Sequence, residues 1–462
     1  MAERLQQARA RAGACLNTLR TNPTVVAVPG EGFLTRLGFS MVSFALPFYA
    51  VSLGMSLSEV GILYALRTAT VVAVKPLMGW AADRYGRKNT LILAVLLRCL
   101  VGLLLPFASV PWHLFVIRLL QGVVTAAREP SAAALIAVHG KKRSMASTFA
   151  WYTTARDLGR SFGAAVAGLI IQATASYNIV FIAAFLTSCV ALVTVIRYVR
   201  EGPEAEAPRP EPSAAAASAA PGWAAYRGLL GYASFGLMVA GSAEMMQGLF
   251  PVIATQYAHL SEGQAGLAVS IAAVASLLAG PLFGWLSDNV NRKLALAARS
   301  VANTLSSVMY IFLPSFGGFL VAYAVDNSGK AAFRPTWGAI LADISDSDPQ
   351  RRASLMSFVD SSYTVGEVLA PLAAGALMAG FGIPAMLAVR AALAVATEIQ
   401  AVRVVHHQSS RGPVAELADI QEFVAGGAHA ERDRGGAEGS AEAPGVPERA
   451  PPPAGRGAGP VS

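Results

Sequence analysis

Charged residues stand inside long apolar segments of this chain, often in groups of opposite sign. Spacing of four residues places Asp326, Lys330 and Arg334 along one face of a helix. Charges in apolar surroundings are costly and mark a path for an ion, a proton or a polar solute. The candidate residues for such a pathway are Arg67, Arg128, Glu129, Arg156, Asp157, Arg160, Glu244, Asp326, Lys330, Arg334, Asp360 and Glu367.

Proton transfer along such a path needs a carboxylate whose pKa changes with its surroundings. Burial raises the pKa of a carboxyl group, and a nearby cation lowers it. Glu129 and Asp157 are the strongest candidates, because each has an adjacent arginine that can exchange partners with an anion. Glu244 is more isolated, between methionines, which fits either a neutral buried acid or a cation-binding group. Static ion pairing that fixes helix register is the alternative for any single group.

The composition shows what kind of chain must position these residues. Of its 462 residues, 54% are hydrophobic and 14% charged, and the mean hydropathy is +0.49. Soluble proteins carry about 25% charged residues, so the composition excludes an ordinary cytosolic enzyme and a disordered or nucleic-acid-coating protein. Twelve apolar stretches between roughly residues 33 and 405 are long enough to cross a lipid bilayer. The sequence therefore predicts an all-α polytopic membrane protein.

Lysine and arginine are distributed unevenly among the connections between these stretches. Alternate connections, such as 51–59 and 173–178, contain neither residue, while the others hold basic groups such as Arg84, Arg87 and Lys88. The positive-inside rule then predicts that both termini are cytoplasmic, and the plasma (inner) membrane is the default location. The net charge of +8 is explained by this asymmetry, so no nucleic-acid partner is expected.

The chain divides into two related halves. The predicted organisation is a cytoplasmic N-terminal segment (1–32), a six-helix bundle (33–199), a cytoplasmic linker (200–222), a second six-helix bundle (223–405) and a disordered cytoplasmic tail (406–462). The segment from Gly79 to Lys88 recurs from Gly284 to Lys293, an offset of 205 residues (284 − 79). Duplicated halves are typical of secondary transporters, with the substrate site between them. The offset also matches Glu129 with Arg334, which suggests a salt bridge between the halves.

Several motifs resemble those of the major facilitator superfamily. Gly79–Lys88 is similar to the family's signature loop between helices two and three, and Arg118-x-x-Gln121-Gly122 matches a motif of its proton-coupled members. Gly159-x-x-x-Gly163 is part of the motif of twelve-helix drug:proton antiporters, although that motif's proline is absent from the fifth helix and stands instead at Pro371 in the eleventh. The resemblance implies the major facilitator fold of two pseudo-symmetric six-helix bundles, with helices 1, 2, 4, 5, 7, 8, 10 and 11 around a central cavity.

The resemblance also implies a gate at the signature loop. A carboxylate at Asp83 or Asp288 can cap a helix N-terminus and pair with a cation of the opposite half, closing one side of the protein. Loop solubility and topology alone are the alternative, above all for the basic residues. The candidate gating residues are Asp83, Arg84, Arg87, Lys88, Asp288, Arg292 and Arg118.

These features predict a secondary active transporter of a small solute that works by alternating access, with proton-coupled efflux favoured. A proton-coupled importer of a charged organic solute is the close alternative, and a membrane receptor or membrane-embedded enzyme is a remote one. No catalytic residues, metal site or cofactor are expected, since the three cysteines are far apart, the six histidines are scattered or terminal, and no phosphate-binding glycine loop is present. We expect the protein to use protons as coupling ion and to function as a monomer.

Overall fold

The computed structural model describes residues 23–139, 145–200, 229–289, 292–346 and 352–401, and these form twelve helices. The helices of the N-terminal half are α1 Pro23–Ser52, α2 Leu57–Tyr85, α3 Arg87–Leu104, α4 Pro111–His139, α5 Met145–Thr174 and α6 Tyr177–Tyr198. Those of the C-terminal half are α7 (Leu230–Gln247 and Phe250–Gln256, bent by 49°), α8 Glu262–Asn289, α9 Arg292–Phe312, α10 Phe316–Asp346, α11 Arg352–Phe381 and α12 Ile383–Ala401.

The first helix begins earlier than the sequence predicts. α1 starts at Pro23, whereas the apolar pattern suggests a start near residue 33. The charge of Glu31 lowers the local hydropathy, so the apolar pattern begins only after this residue. The Glu31 side chain is nevertheless fully buried within the helical bundle. Most of the predicted linker (201–222) and all of the predicted tail (406–462) lie outside the described residues, so those predictions stand as made.

Charge explains why some helices look less suited to a membrane than others. Among the described residues, seven helices are long and apolar enough to cross a bilayer, or eight if the bent α7 counts as one span. The helices α4, α5, α9 and α10 fall outside this group, and they carry the charges of Arg128, Asp157, Arg299 and Asp326. Side chains of this kind lower a helix's hydropathy, although they face the protein interior rather than lipid.

The two halves repeat the same packing. In the N-terminal half α1 packs on α5, α2 on α4 and α3 on α4, and in the C-terminal half the corresponding pairs are α7 with α11, α8 with α10 and α9 with α10. Helices α2 and α3 meet at Gly86, whose φ of 92° is in the left-handed region that favours glycine. The signature loop thus contains one position where the backbone itself requires glycine.

The halves meet through two glycine crossings. A Cβ added to Gly61 of α2 would lie 3.1 Å from the Cα of Gly375 in α11, and one added to Gly168 of α5 would lie 3.1 Å from the Cα of Gly266 in α8. The repeat relates these pairs, because 266 − 61 is 205 and 375 − 168 is 207. Both crossings lie near the α1–α2, α5–α6, α7–α8 and α11–α12 connections. Small residues allow helix backbones to approach closely, so the molecule is closed at this end.

A larger side chain in a glycine crossing should open the closed end. A Cβ on Gly266 would lie 2.6 Å from the carbonyl oxygen of Ala164, so valine there cannot be accommodated without separating α5 from α8. We expect Gly266→Val to lengthen the distance between spin labels on the exposed residues Ser52 and Phe381, measured by pulsed electron paramagnetic resonance with the native cysteines replaced. Gly280→Val, in the same helix with nothing within 4 Å of its added Cβ, is the control. Unchanged distances in the Gly266 variant would contradict the tight crossing.

Candidate functional site

A cavity of about 520 Å³ lies between the two halves, beginning at Tyr64, one turn beyond the Gly61 crossing. Its wall is built from α1, α2, α4 and α5 of the first half and α7, α8, α10 and α11 of the second, with α9 contributing Arg299. Among the described residues, six cations and four carboxylates line it: Arg36, Arg67, Arg156, Arg160, Arg299, Lys330, Glu129, Asp157, Glu244 and Glu367. A polar chamber inside apolar helices can hold a solute away from lipid.

Glu129 lies between two arginines in the cavity wall. Its Oε1 accepts a hydrogen bond from Nη2 of Arg36 at 2.5 Å and from Nη2 of Arg156 at 3.3 Å, which links α4 to α1 and α5. The charges of Arg67 and Arg128 also act on this carboxylate. The Glu129 side chain remains 40% exposed, so water and protons reach it from the cavity.

Three arginines surround the ring of Phe39 in α1. The guanidinium carbons of Arg36, Arg67 and Arg98 lie 5.8, 5.3 and 5.4 Å from the ring centroid, within cation–π distance. Arg98 also donates to the Thr35 carbonyl at 3.2 Å, and this half-buried contact gives a structural role to an arginine that the sequence leaves without a partner.

Arg128 is held away from the cavity in a buried ion pair. Its Nε and Nη2 donate to the two carboxylate oxygens of Glu31 at 2.8 and 2.7 Å, and Thr35 donates to the same carboxylate at 2.6 Å. Both charged side chains are at most 2% exposed. Sequence reasoning missed Glu31, because it assigns this residue to the N-terminal segment. An acidic residue four positions before Thr35, directly ahead of an apolar run, is the signal that was available.

A second buried carboxylate, Asp326 of α10, is surrounded by three cations. Arg299 of α9, Lys330 of α10 and Arg390 of α12 each place a nitrogen 3.1 Å from its oxygens. Asp326 itself is completely buried. The sequence places Asp326 and Lys330 on one helix face as pathway candidates, with static ion pairing as the alternative, and the structure shows the pair. It misses both arginines, because neither has an oppositely charged neighbour on its own helix.

Tyr64 lies in the cavity wall towards its closed end. The Arg118 guanidinium lies 4.2 Å from the ring centroid of Tyr64, and the same ring lies against Gly248, at the bend of α7. Arg118 also donates to the side chain of Gln121 at 2.9 Å and is completely buried. Arg118 therefore supports the contact between the two halves near the glycine crossings. It lies far from the signature loop, with which the sequence groups it as a gating residue.

The remaining predicted residues divide into three sets. Asp157, Arg160, Glu244 and Glu367 line the cavity, whereas Asp360 accepts a hydrogen bond from the Trp337 indole at 3.4 Å. Arg84 is exposed, and Arg87 and Lys88 are half-buried where α2 meets α3. The residues whose side chains lie outside the described part of the structure are Asp83, Asp288, Arg292 and Arg334.

These positions leave the predicted latch and the predicted Glu129–Arg334 salt bridge as predictions. Glu129 pairs with Arg36 and Arg156 of its own half in this conformation. Within the described ranges there is no group of three or more His, Cys, Asp or Glu side chains that could hold a metal ion.

Removing one partner of the Glu31–Arg128 pair should destabilise the protein strongly. Arg128→Gln leaves the Glu31 carboxylate uncompensated, which typically costs about 3–5 kcal/mol in the free energy of unfolding. The double variant Glu31→Gln, Arg128→Gln removes both charges and should be markedly more stable than Arg128→Gln alone. Unfolding in detergent–SDS mixtures measures both, with the exposed Lys75→Gln as control. Additive effects of the two substitutions would show that the pair is energetically uncoupled.

Comparison with known proteins agrees with this architecture. The profile of the Major Facilitator Superfamily matches residues 32–243 and 232–418. Multidrug resistance protein MdtG of Salmonella arizonae is 24% identical over 371 residues, which cover 78% of this chain and 89% of that protein. A probable 4-methylmuconolactone transporter of Cupriavidus pinatubonensis is 25% identical over 309 residues, 63% of this chain and 70% of that protein.

Solved structures share the fold at lower sequence identity. The nucleoside transporter NupG superimposes with a TM-score of 0.65 at 14% identity, covering 83% of this chain and 98% of NupG. Tetrameric PepTSo2 gives a TM-score of 0.66 at 14% identity, over 85% and 99% of the two chains. With two bundles of six helices enclosing one polar cavity, the chain belongs to the Major Facilitator Superfamily and is a multi-pass membrane transporter of small molecules, not an enzyme.

Proposed function

We propose that this protein exports small organic molecules in exchange for protons, and that Glu129 is the proton-binding group. The observation that carries the proposal is the position of Glu129, which is held between Arg36 and Arg156 in the wall of the cavity shared by both halves. The relative named as a multidrug resistance protein supports the outward direction.

The charge state of Glu129 controls how tightly three helices of the first half are joined. When ionised, it bridges α1, α4 and α5 through the two arginines. Protonation removes the negative charge, and Arg36 and Arg156 then repel each other and turn to water or substrate. An exchanger results if the solute-loaded protein moves with Glu129 ionised and the empty protein returns with Glu129 protonated. Alternating access of the cavity follows from rocking the two halves about their contacts.

The orientation in this proposal has both termini in the cytoplasm of the plasma (inner) membrane. Its support is the absence of Lys and Arg from the connections at the closed end, such as residues 53–56 and 175–176, together with the positive-inside rule. The conformation described is then open towards the cytoplasm. A single chain supplies the whole cavity wall, which supports function as a monomer.

Replacing Glu129 by glutamine should remove the link between ligand binding and pH. A ligand that binds the folded state raises the melting temperature, and in the unsubstituted protein we expect this rise to differ between about pH 5.5 and about pH 8. In Glu129→Gln the side chain keeps its size but cannot ionise, so the rise should become the same at both pH values. The measurement is a melting-temperature screen of the purified full chain against diverse organic solutes.

Glu59→Gln is the matched control, because Glu59 lies in the capping box at the start of α2, where glutamine also serves. This variant should retain the full pH dependence. A Glu129→Gln protein with unchanged pH dependence would remove Glu129 from the coupling mechanism.

A proton-coupled importer of a charged organic solute is the second candidate, favoured by the excess of cations over carboxylates in the cavity lining. An anion that binds the arginines released by protonation would travel together with the proton. Proteoliposomes containing a pH-sensitive dye distinguish the two candidates. With a hit from the screen loaded inside, we expect its outward gradient to draw protons inward, whereas co-transport would carry protons out with it.

A further inference from the structure

The Asp326 cluster contains more positive charge than its single carboxylate can compensate. Arg299, Lys330 and Arg390 all contact Asp326, which leaves a formal charge of +2 on these four residues. Glu244 of α7 lies within electrostatic range of Lys330 and reduces the excess to +1. Charge held among transmembrane helices is expensive unless a partner or water compensates it. Counted over Asp326 and Glu244 alone, these three cations carry one positive charge more than the two carboxylates balance.

The three cations differ in how fully their donors are used. Arg390 is completely buried and donates to the Ser242 carbonyl at 3.0 Å, to Ser307 Oγ at 2.5 Å and to Asn303 Oδ1 at 3.2 Å, besides its contact with Asp326. These contacts give Arg390 a structural role, and it is not among the described residues that line the cavity.

Arg299 and Lys330, by contrast, form part of the cavity wall. Arg299 is only 2% exposed, and its Nη2 is buried without a hydrogen-bond partner in the described structure. A buried, unsatisfied donor on a charged group is costly. Lys330 contacts Asp326 and the Ala243 carbonyl, at 3.3 Å, and its ammonium group has three donors. Within the described residues, Arg299 therefore has one donor without an acceptor, and the three-donor ammonium of Lys330 has these two contacts.

Aromatic side chains line the same cavity as these two cations. Phe333 lies on α10 close to Lys330 in sequence, and its ring stacks on Tyr363 of α11 with centroids 6.0 Å apart and planes at 14°. Phe333, Tyr363 and Tyr323 all line the cavity. A ligand that places a negative group on Arg299 and Lys330 would thus lay its body against an aromatic surface.

We infer that Arg299 and Lys330 form the binding site for the carboxylate of a small organic anion with an apolar, ring-containing body. One negative charge neutralises the remaining +1, and a carboxylate oxygen satisfies the unused Nη2 donor. Charge-assisted hydrogen bonds of this kind are short and strong. This inference rests on the proposed function, because it names the substrate class of the same cavity.

The site lies in the opposite half from Glu129. An anion can therefore bind to α9 and α10 while Glu129 is ionised and still paired with Arg36 and Arg156, which is the solute-loaded state that proton exchange requires. Asp326 acts as a positioning residue, since Arg299 and Lys330 each contact one of its oxygens at 3.1 Å, and it does not line the cavity itself.

Three ligands that share one ring test the inference on the unsubstituted protein. Benzoate, benzamide and benzylamine present an anionic, a neutral and a cationic group, and calorimetric titration of the purified full chain measures their affinities. We expect benzoate to bind about tenfold more tightly than benzamide, the effect of one charge-assisted hydrogen bond, and benzylamine most weakly. Equal affinities for benzoate and benzamide, or the tightest binding by benzylamine, would overturn the inference without any substitution.

Substitutions then locate the site. Arg299→Gln should lower the affinity for benzoate to that for benzamide and leave benzamide binding unchanged, while Arg299→Lys should restore part of the preference. Lys75→Gln removes an exposed cation of α2 and is the control for net charge. A folded Arg299→Gln protein that keeps the full preference for benzoate would show that the cation is structural only.

The binding experiments distinguish a failure of the anion site from a failure of the proposed proton coupling. Preference for benzoate that depends on Arg299 but not on pH would leave the anion site intact and remove the proton coupling. Solute binding that depends on pH and on Glu129, with no preference for an anion, would leave the coupling intact and remove the anion site.

Discussion

The requirement that buried charge be compensated within an apolar medium controls this structure. A lone ion among membrane helices is expensive, and removing one partner of a buried pair costs more than the pair contributes. Glu31 is therefore tied to Arg128 through two hydrogen bonds, and Asp326 is tied to cations from three helices. Because each pair joins different helices, satisfying the charges also fixes how the helices pack and turns their polar faces towards the centre.

The two halves compensate their buried charges in different ways, although their helix packing follows the same repeat. The glycine crossings obey the internal symmetry, as Gly61 corresponds to Gly266 and Gly168 to Gly375. The side chains do not, since Asp326 occupies the place of Gln121, an offset of 205 (326 − 121). One half thus has a carboxylate open to the cavity between two arginines, and the other has a carboxylate buried beneath its cations. A duplicated scaffold with different polar groups can assign proton and solute to separate halves.

Exposure to the cavity is what separates a structural charge from one that can take part in transport. The Glu129 side chain is 40% exposed, whereas Glu31 and Asp326 are fully buried, although all three pair with arginine. A carboxylate that water reaches can exchange its partner for a proton, while one that water does not reach can only hold helices together. Arg299 lies between these cases, with one nitrogen engaged by Asp326 and another without a partner.

The sequence alone determined the number of helices, the duplication and the i, i+4 contact of Asp326 with Lys330, because hydropathy and helical periodicity act between near neighbours in the chain. The resemblance of its motifs to a known family also indicated which helices line the cavity. Only the tertiary structure decided which charges meet across helices. Glu31 and Arg128 are 97 residues apart, and Arg390 reaches Asp326 from the last helix. Such partners depend on how helices rotate and cross, which the close glycine contacts set and no local pattern records.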